Sequence, residues 1–114
     1  MVERNRKVSV LLPCRNEERY ISTVIVNIIN QDYDINYIDF LIIDGMSDDS
    51  TREIIDKYQK TFNFLRLINN PYKTVPYALN LGIKNSTGEI IIRIDAHAVY
   101  PPNYISTLVY YLDK

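Results

Sequence analysis

The sequence has little of four things: cysteine, glycine, excess positive charge and long apolar runs. Its single cysteine, Cys14, excludes an intrachain disulfide and a zinc site built from cysteines. Lys and Arg number 13 against 14 Asp and Glu, a formal net charge of −1, so we expect no nucleic-acid partner. No apolar run approaches the ~18 residues of a membrane span, and the polar start lacks a signal peptide. We therefore expect one globular, cytoplasmic domain or part of one.

Apolar residues make up 46% of the chain. Short continuous apolar runs alternate along the chain with segments whose apolar residues have the spacing of an amphipathic helix. The β-branched runs predict strands over residues 8–12, 38–43, 64–68 and 89–94. Amphipathic spacing predicts helices over residues 17–31, 50–61, 76–83 and 103–112. We expect Asn16 to cap the first helix, Ser50 to open the second with a capping box, and Pro76 to occupy the first turn of the third.

This order, strand then helix four times over, predicts the fold. Continuous apolar strands with short connections favour a parallel sheet that helices cover on both faces. We therefore expect an α/β, Rossmann-like three-layer sandwich with a mostly parallel sheet. In such sheets, ligands bind outside the carboxyl ends of the strands.

Chemically active residues follow all four predicted strands. Asp44 ends the second strand, Lys73 lies in the loop after the third, and Asp95 and His97 follow the fourth. The first strand runs into a loop that contains Pro13, Cys14, Arg15, Asn16 and Glu17. Gathered acids with a histidine indicate a divalent cation, and Lys and Arg beside them indicate phosphate.

Each of these residues also has a purely structural interpretation. Asp48, Asp49 and Ser50 are ordinary helix-start residues, and Asp44 followed by glycine is a common turn pair. Loop cations are often only solvated, Cys14 beside a strand end can be an inert small residue, and His97 can simply bond a nearby loop.

Asp95 and His97 are the candidate metal ligands. Strand alternation would place both side chains on one side, with Ala96 pointing away. A carboxylate with an imidazole suits Mn²⁺ better than Mg²⁺ or Ca²⁺, because imidazole is a borderline donor. The ion would neutralise diphosphate charge and help a nucleoside diphosphate to leave.

Four blocks in order resemble the nucleotide-sugar-binding half of family 2 glycosyltransferases with the GT-A fold. They are an opening strand with a Pro-x-x-Asn-Glu loop (8–17), an Asp-rich turn (42–51), a helix (78–83) and a Gly-Glu-strand-Asp-x-His block (88–97). The family's metal motif usually ends in Asp, where this chain has His97. The sequence of residues 95–104 is similar to the corresponding segment of bacterial exopolysaccharide transferases of the succinoglycan type.

The resemblance implies a transferase that takes a sugar from a UDP- or GDP-sugar and gives it to a glycan or lipid-linked acceptor. It implies that residues 1–114 are the donor-binding part, that the catalytic base lies in an acceptor half outside them, and that this part alone is inactive. The whole protein would then be cytoplasmic or at the inner face of the membrane. The implied cofactor is Mn²⁺ rather than Mg²⁺, with Asp95 and His97 as metal ligands. The implied nucleotide-binding residues are Pro13, Cys14, Arg15, Asn16, Glu17, Asp44, Lys73 and Asp95.

Other α/β classes fit less well. The first strand is not followed by the Gly-rich turn of a dinucleotide-binding domain, and a P-loop is absent. A phosphate-receiver domain would need a fifth strand and a late lysine. Two alternatives stay open: a non-catalytic nucleotide-binding α/β module and a nucleotidyltransferase-like domain.

Overall fold

A computed structural model describes residues 6–113 of the chain. The strands are β1 (Val8–Cys14), β2 (Ile38–Asp44), β3 (Leu65–Asn69) and β4 (Ile90–Arg93). The helices are α1 (Ile21–Ile29), α2 (Thr51–Thr61), α3 (Val75–Asn85) and α4 (Tyr104–Leu112), with a 3₁₀ turn at Ile35–Tyr37.

The sheet confirms the predicted α/β class. Its strand order is β3-β2-β1-β4, and each neighbouring pair is parallel. Cys14 lies opposite Asp44, and Leu11 lies opposite Arg93, two residues before Asp95. Because parallel strands end at one edge, Asp44 and Asp95 lie at the same edge of the sheet, as predicted.

Helices cover both faces, which gives the expected three layers, but the cover is uneven. Strand alternation sends Val10, Phe40 and Ile92 into the larger core, where α1, α2 and α4 pack. On the other face, α3 packs through Ala78 on Leu11, Leu41 and Ile43. Arg93 and Ile91 share that second face with Leu11, and both are exposed because α3 does not cover the edge strand.

One predicted helix start and two predicted side-chain caps are wrong. Helix α1 begins at Ile21 instead of residue 17, and Asn16 does not cap it; Asn16 has a left-handed backbone with φ 53°. Ser50 precedes α2 but makes no capping bond with its side chain. The neighbouring Asp49 makes the capping bonds instead, because its Oδ1 accepts from the backbone N–H and the hydroxyl of Thr51.

The other boundaries hold within a few residues. Pro76 lies in the first turn of α3, as expected. The fourth strand ends at Arg93, so Asp95 and His97 lie in a turn and not on a strand. The alternation argument for these two side chains is therefore wrong; instead, the Asp95 carboxylate accepts a hydrogen bond from the backbone N–H of His97. Within residues 6–113, no helix combines the length and apolar character that crossing a bilayer requires.

Candidate functional site

A cleft of about 270 Å³ opens at the carboxyl edge of the sheet, between the ends of β1 and β4 and the start of α3. It brings together most of the residues that the sequence pointed to: Pro13, Cys14, Arg15, Glu17, Lys73 and Asp95. Asn16, Asp44 and His97 are not among its lining residues. The cleft also has walls that sequence reasoning missed: Asn70, Thr74, Val75, Ala78, Arg93, Ile94 and Ala96.

The loop after β1 is fastened to the loop after β2. The N–H of Asn16 donates to Ser47 Oγ at 2.8 Å, and Asn16 Oδ1 accepts from the N–H of Asp48 at 2.9 Å. The N–H of Glu17 donates to Thr51 Oγ1 at 2.8 Å. Asn16 therefore shapes the rim of the site by holding two loops together.

Strained backbone is concentrated at this edge. Among residues 6–113, the non-glycine residues with positive φ are Asn16, Met46 and Lys73, at 53°, 60° and 67°. Each follows a different strand, β1, β2 or β3, in the loop that leaves the carboxyl edge. Such conformations cost free energy and persist where surrounding contacts impose them, often at functional sites.

Gly45 is the point where these three loops meet. A Cβ added there would lie 3.2 Å from the carbonyl oxygen of Lys73 and 3.3 Å from Cβ of Arg15. The carbonyl of Gly45 accepts from Arg15 Nε at 3.0 Å. A side chain at position 45 would require these neighbours to shift by a few tenths of an ångström, so glycine suits this close approach of the loops.

Asp44 is fully buried, and both of its carboxylate oxygens are occupied. Oδ2 accepts from the Ser47 N–H and from Arg52 Nη1, each at 2.8 Å. Oδ1 accepts from the Ser47 hydroxyl and lies 3.5 Å from the Cys14 sulfur. A direct contact between Asp44 and a nucleobase would therefore require one of these donors to leave.

Cys14 is an inert wall residue of the cleft. Burial raises the pKa of its thiol far above the ordinary value, and the neighbouring Asp44 carboxylate adds to the effect. Because the thiolate is the reactive form, this cysteine is neither a nucleophile nor a metal ligand near neutral pH.

His97 is held by Glu17. Its Nε2 lies 2.6 Å from Glu17 Oε1, and its ring lies against Tyr20 with centroids 4.3 Å apart. A carboxylate only accepts, so Nε2 carries the proton and a neutral ring keeps its lone pair on Nδ1. Metal-ligating histidines show this pattern, with the other ring N–H donated to a carboxylate.

Asp95 offers the second candidate metal ligand. Its Oδ1 accepts from the N–H of His97 at 2.8 Å, which closes a tight turn. Its Oδ2 accepts no hydrogen bond from the residues that the structure describes. Within residues 6–113 no cluster of three or more His, Cys, Asp or Glu side chains could hold a metal ion. An ion held by these two candidate donors alone would have to take most of its ligands from a bound diphosphate or water.

The charges of the cleft favour an anionic ligand. Arg15, Lys73 and Arg93 line it together with Glu17 and Asp95, so three cations face two carboxylates. Although the whole chain carries a net charge of −1, the cleft itself is electropositive and suited to phosphate.

Comparisons with known proteins give relatives that transfer sugars. The dolichyl N-acetyl-alpha-D-glucosaminyl phosphate 3-beta-D-2,3-diacetamido-2,3-dideoxy-beta-D-glucuronosyltransferase of Methanococcus voltae is 41% identical over 96 residues, 82% of this chain and 30% of that protein. The succinoglycan biosynthesis protein ExoA of Rhizobium meliloti is 30% identical over 102 residues, 88% of this chain and 31% of that protein. The latter match agrees with the succinoglycan-type resemblance.

A solved structure shares the fold. The mannosyltransferase PcManGT from Pyrobaculum calidifontis, in complex with GDP-Man and Mn²⁺, superimposes with a TM-score of 0.91 at 27% identity. The match covers 97% of this chain and 33% of that one. The chain thus spans about a third of the length of the proteins that it matches. The model of the family described as Glycosyl transferase family 2 matches residues 9–114, nearly the whole chain. This chain therefore belongs to glycosyl transferase family 2.

Proposed function

We propose that the whole protein is a glycosyltransferase and that this chain is its donor-binding part. The donor is a nucleoside-diphosphate sugar, UDP- or GDP-linked. One observation carries the proposal: in a family 2 chain, the predicted nucleotide-binding residues other than Asn16 and Asp44 line one electropositive cleft. PcManGT, which shares the fold, is described with GDP-Man, and this supports a donor of that chemical class.

The residues of the cleft divide the nucleotide between them. Arg15, Lys73 and Arg93 supply positive charge for the diphosphate, and the guanidinium groups can bind phosphate oxygens in pairs. The loop of residues 13–16 offers backbone groups to the nucleobase and ribose. Asp44 supports this loop through Cys14 and Ser47, and its predicted contact with the base remains part of the proposal.

Asp95 and His97 would hold a divalent cation, with Mn²⁺ preferred over Mg²⁺ because imidazole is a softer donor than carboxylate. The described PcManGT complex contains Mn²⁺, which supports this choice. When bound, the ion would supply charge neutralisation for the departing diphosphate. Glu17 orients the His97 ring so that Nδ1 keeps its lone pair.

The acceptor would be a glycan or a lipid-linked sugar. Two relatives support this choice through their names: one acts on a dolichyl-linked sugar phosphate, and the other takes part in succinoglycan biosynthesis. A cytoplasmic location, with the whole protein at the inner face of the membrane, belongs to the same proposal. Family membership argues against a nucleotidyltransferase-like domain or a module without a transferase context.

Thermal shift with UDP, GDP and NAD, each with and without Mn²⁺, tests the proposal. We expect Mn²⁺-dependent stabilisation by UDP or GDP, because a ligand that binds only the folded state raises its melting temperature. NAD should give none. Stabilisation by NAD, or by no nucleotide at saturating concentration, would contradict the proposed function.

Variants of His97 test the metal assignment. His97→Ala should abolish the Mn²⁺ dependence of nucleotide binding, whereas His97→Asp should keep it and shift preference toward Mg²⁺, because carboxylate is a harder donor. Isothermal titration with each ion measures both effects. Full Mn²⁺-dependent affinity in His97→Ala would show that this histidine only bonds Glu17, the arrangement already seen in the structure.

A further inference from the structure

The loop between β4 and α4 is fastened to helix α1 by one side chain. Asn27 Nδ2 donates to the carbonyl oxygen of Tyr100 at 2.8 Å, and Asn27 Oδ1 accepts from the N–H of Tyr100 at 2.6 Å. Both backbone polar groups of Tyr100 are thus bonded to a single amide. Because α1 packs in the core through Val24, Ile25 and Ile28, this anchor is rigid.

Gln31, four residues after Asn27, fastens the next part of the same loop. Its Nε2 donates to the carbonyl oxygen of Pro101 at 2.7 Å, and its Oε1 accepts from the N–H of Ile105 at 2.9 Å. The side chain of Gln31 is buried, so water does not compete with these bonds. Tyr100 and the following Pro101 are therefore both bonded to side chains in α1 or just after it.

Tyr100 passes this rigidity to the candidate metal site. Its hydroxyl oxygen accepts from the N–H of Asp95 at 2.8 Å, and its ring lies against Tyr104 with centroids 4.6 Å apart. Asp95 in turn fixes His97, whose N–H donates to Asp95 Oδ1. A continuous chain of contacts therefore runs from Asn27 through Tyr100 to the backbone of Asp95 and, through the Asp95 carboxylate, to the backbone of His97.

We propose that Tyr100 is a positioning residue that holds the Asp95–His97 turn in the geometry that binds cation and diphosphate. The inference rests on the proposed function, since it assigns Tyr100 a part in that same site. Asp95 is exposed and lies beyond the end of β4, so the ladder of the sheet does not hold it. Partners that orient metal ligands typically change metal affinity by about 10–100-fold.

Tyr100→Phe tests the inference, because it removes the hydroxyl and keeps the ring. In the 114-residue chain we expect about tenfold weaker binding of UDP or GDP with Mn²⁺ and less than about a twofold change without it. We also expect faster hydrogen exchange of the Asp95 amide, measured by NMR. Tyr104→Phe is the matched control, because the Tyr104 hydroxyl bonds no residue in the described part of the chain.

Asn27→Ala provides a second test, since it keeps the hydroxyl but releases its anchor. It should change Mn²⁺-dependent affinity and Asp95 exchange in the same direction as Tyr100→Phe. Unchanged Mn²⁺-dependent affinity in Tyr100→Phe would overturn the inference. The inference would also be overturned if Tyr100→Phe lost folding stability in urea while the hydrogen exchange of the Asp95 amide stayed unchanged. That result would show a merely structural role for Tyr100.

The failures of the two proposals are distinguishable. If the wild-type chain binds neither UDP nor GDP with Mn²⁺, the proposed function is wrong. Exchange at Asp95 in Tyr100→Phe then still decides whether the hydroxyl holds the turn. If the wild-type chain binds UDP or GDP with Mn²⁺ and Tyr100→Phe binds with the same affinity, the proposed function stands and only the positioning role is wrong.

Discussion

Arg93 is exposed, lines the cleft and has no carboxylate partner among residues 6–113. By contrast, Arg52 and Arg66 are each paired with a buried aspartate. Arg93 also shares the cleft with Arg15 and Lys73. Like charges gathered in a concave site favour the arrival of an anion, and the diphosphate is the anion in our proposal.

Arg93→Ala should therefore weaken the binding of UDP or GDP about tenfold, since a charge-assisted hydrogen bond is worth about 1.5–3 kcal/mol. The affinities for uridine and guanosine should not change, because neither has a phosphate. Isothermal titration of the four compounds measures the difference. Arg19→Ala, which removes an exposed arginine outside the cleft, is the control. Equal losses for nucleoside and nucleotide would contradict a diphosphate contact.

Local patterns predicted the elements well and the loop geometry poorly. Glu17 and Glu18 suit a helix start, yet their backbone N–H groups donate to the side chains of Thr51 and Asp49 at the start of α2, so α1 begins later. Tertiary contacts override propensity at such a boundary. The same limit applies to the turn after β4, where a hydrogen bond from His97 to Asp95 replaces the expected strand.

The missed walls of the cleft have a related cause. Arg93 and Ala78 are ordinary members of a strand and a helix. Only the fold brings both to the cleft, because α3 packs on β1 and β2 while β4 pairs with β1. The acids and the histidine could be predicted because strand-end position alone brings them to one edge. The partner of His97 could not, since Glu17 is 80 residues away in sequence.

The opposite edge of the sheet holds a buried polar network around Asp39 in β2. Arg66 donates to it twice at 3.0 Å, and the Ser9 hydroxyl and the Thr87 backbone and hydroxyl also donate. Burial alone would raise the pKa of Asp39, but hydrogen bonds from Arg66 and Thr87 outweigh it and lower the pKa. The network joins β1, β2, β3 and the loop before β4, at the edge of the sheet opposite the cleft.

Asp39→Asn should destabilise the chain by about 2 kcal/mol in urea denaturation. This is less than the 3–5 kcal/mol of a fully buried pair, because the Arg66 side chain is 39% exposed. Asp56→Asn, in an exposed pair with Lys60, is the control and should cost about 0.3–0.5 kcal/mol. A loss no larger than that of the control would show that the network contributes little.

The lowered pKa of Asp39 also sets a pH dependence. The folded state holds the proton less tightly than the unfolded state, so this stabilisation is present at neutral pH. It should be lost as the pH falls below about 4, through the ordinary carboxyl range and into the lowered one. In urea denaturation from pH 6 to pH 3, the wild type should therefore lose more stability than Asp39→Asn.

At the scale of the whole molecule, the Asp39 network and the candidate binding site lie at opposite edges of one sheet. The amino-terminal edge holds the Asp39 network, while the carboxyl edge has strained loops, exposed cations and the turn at Asp95. The uneven helix layers contribute to this separation, because α3 does not cover β4 and leaves Ile91 and Arg93 exposed. Arg93 therefore lines the cleft. The candidate site thus borders a part of the sheet that the helices do not cover.

The last prediction concerns turnover. The chain spans about a third of the length of its relatives, and we propose that it binds the donor without transferring the sugar. Inverting transfer needs a base that deprotonates the acceptor hydroxyl. The carboxylates of the cleft are Glu17, bonded to His97, and Asp95, which we assign to the cation.

With a radiolabelled nucleotide sugar, the 114-residue chain should retain label in Mn²⁺-dependent binding yet form no glycan or lipid-linked product. A longer chain that includes the acceptor part should form it. Sustained transfer by the 114-residue chain alone would place the base within these residues and refute the division of labour.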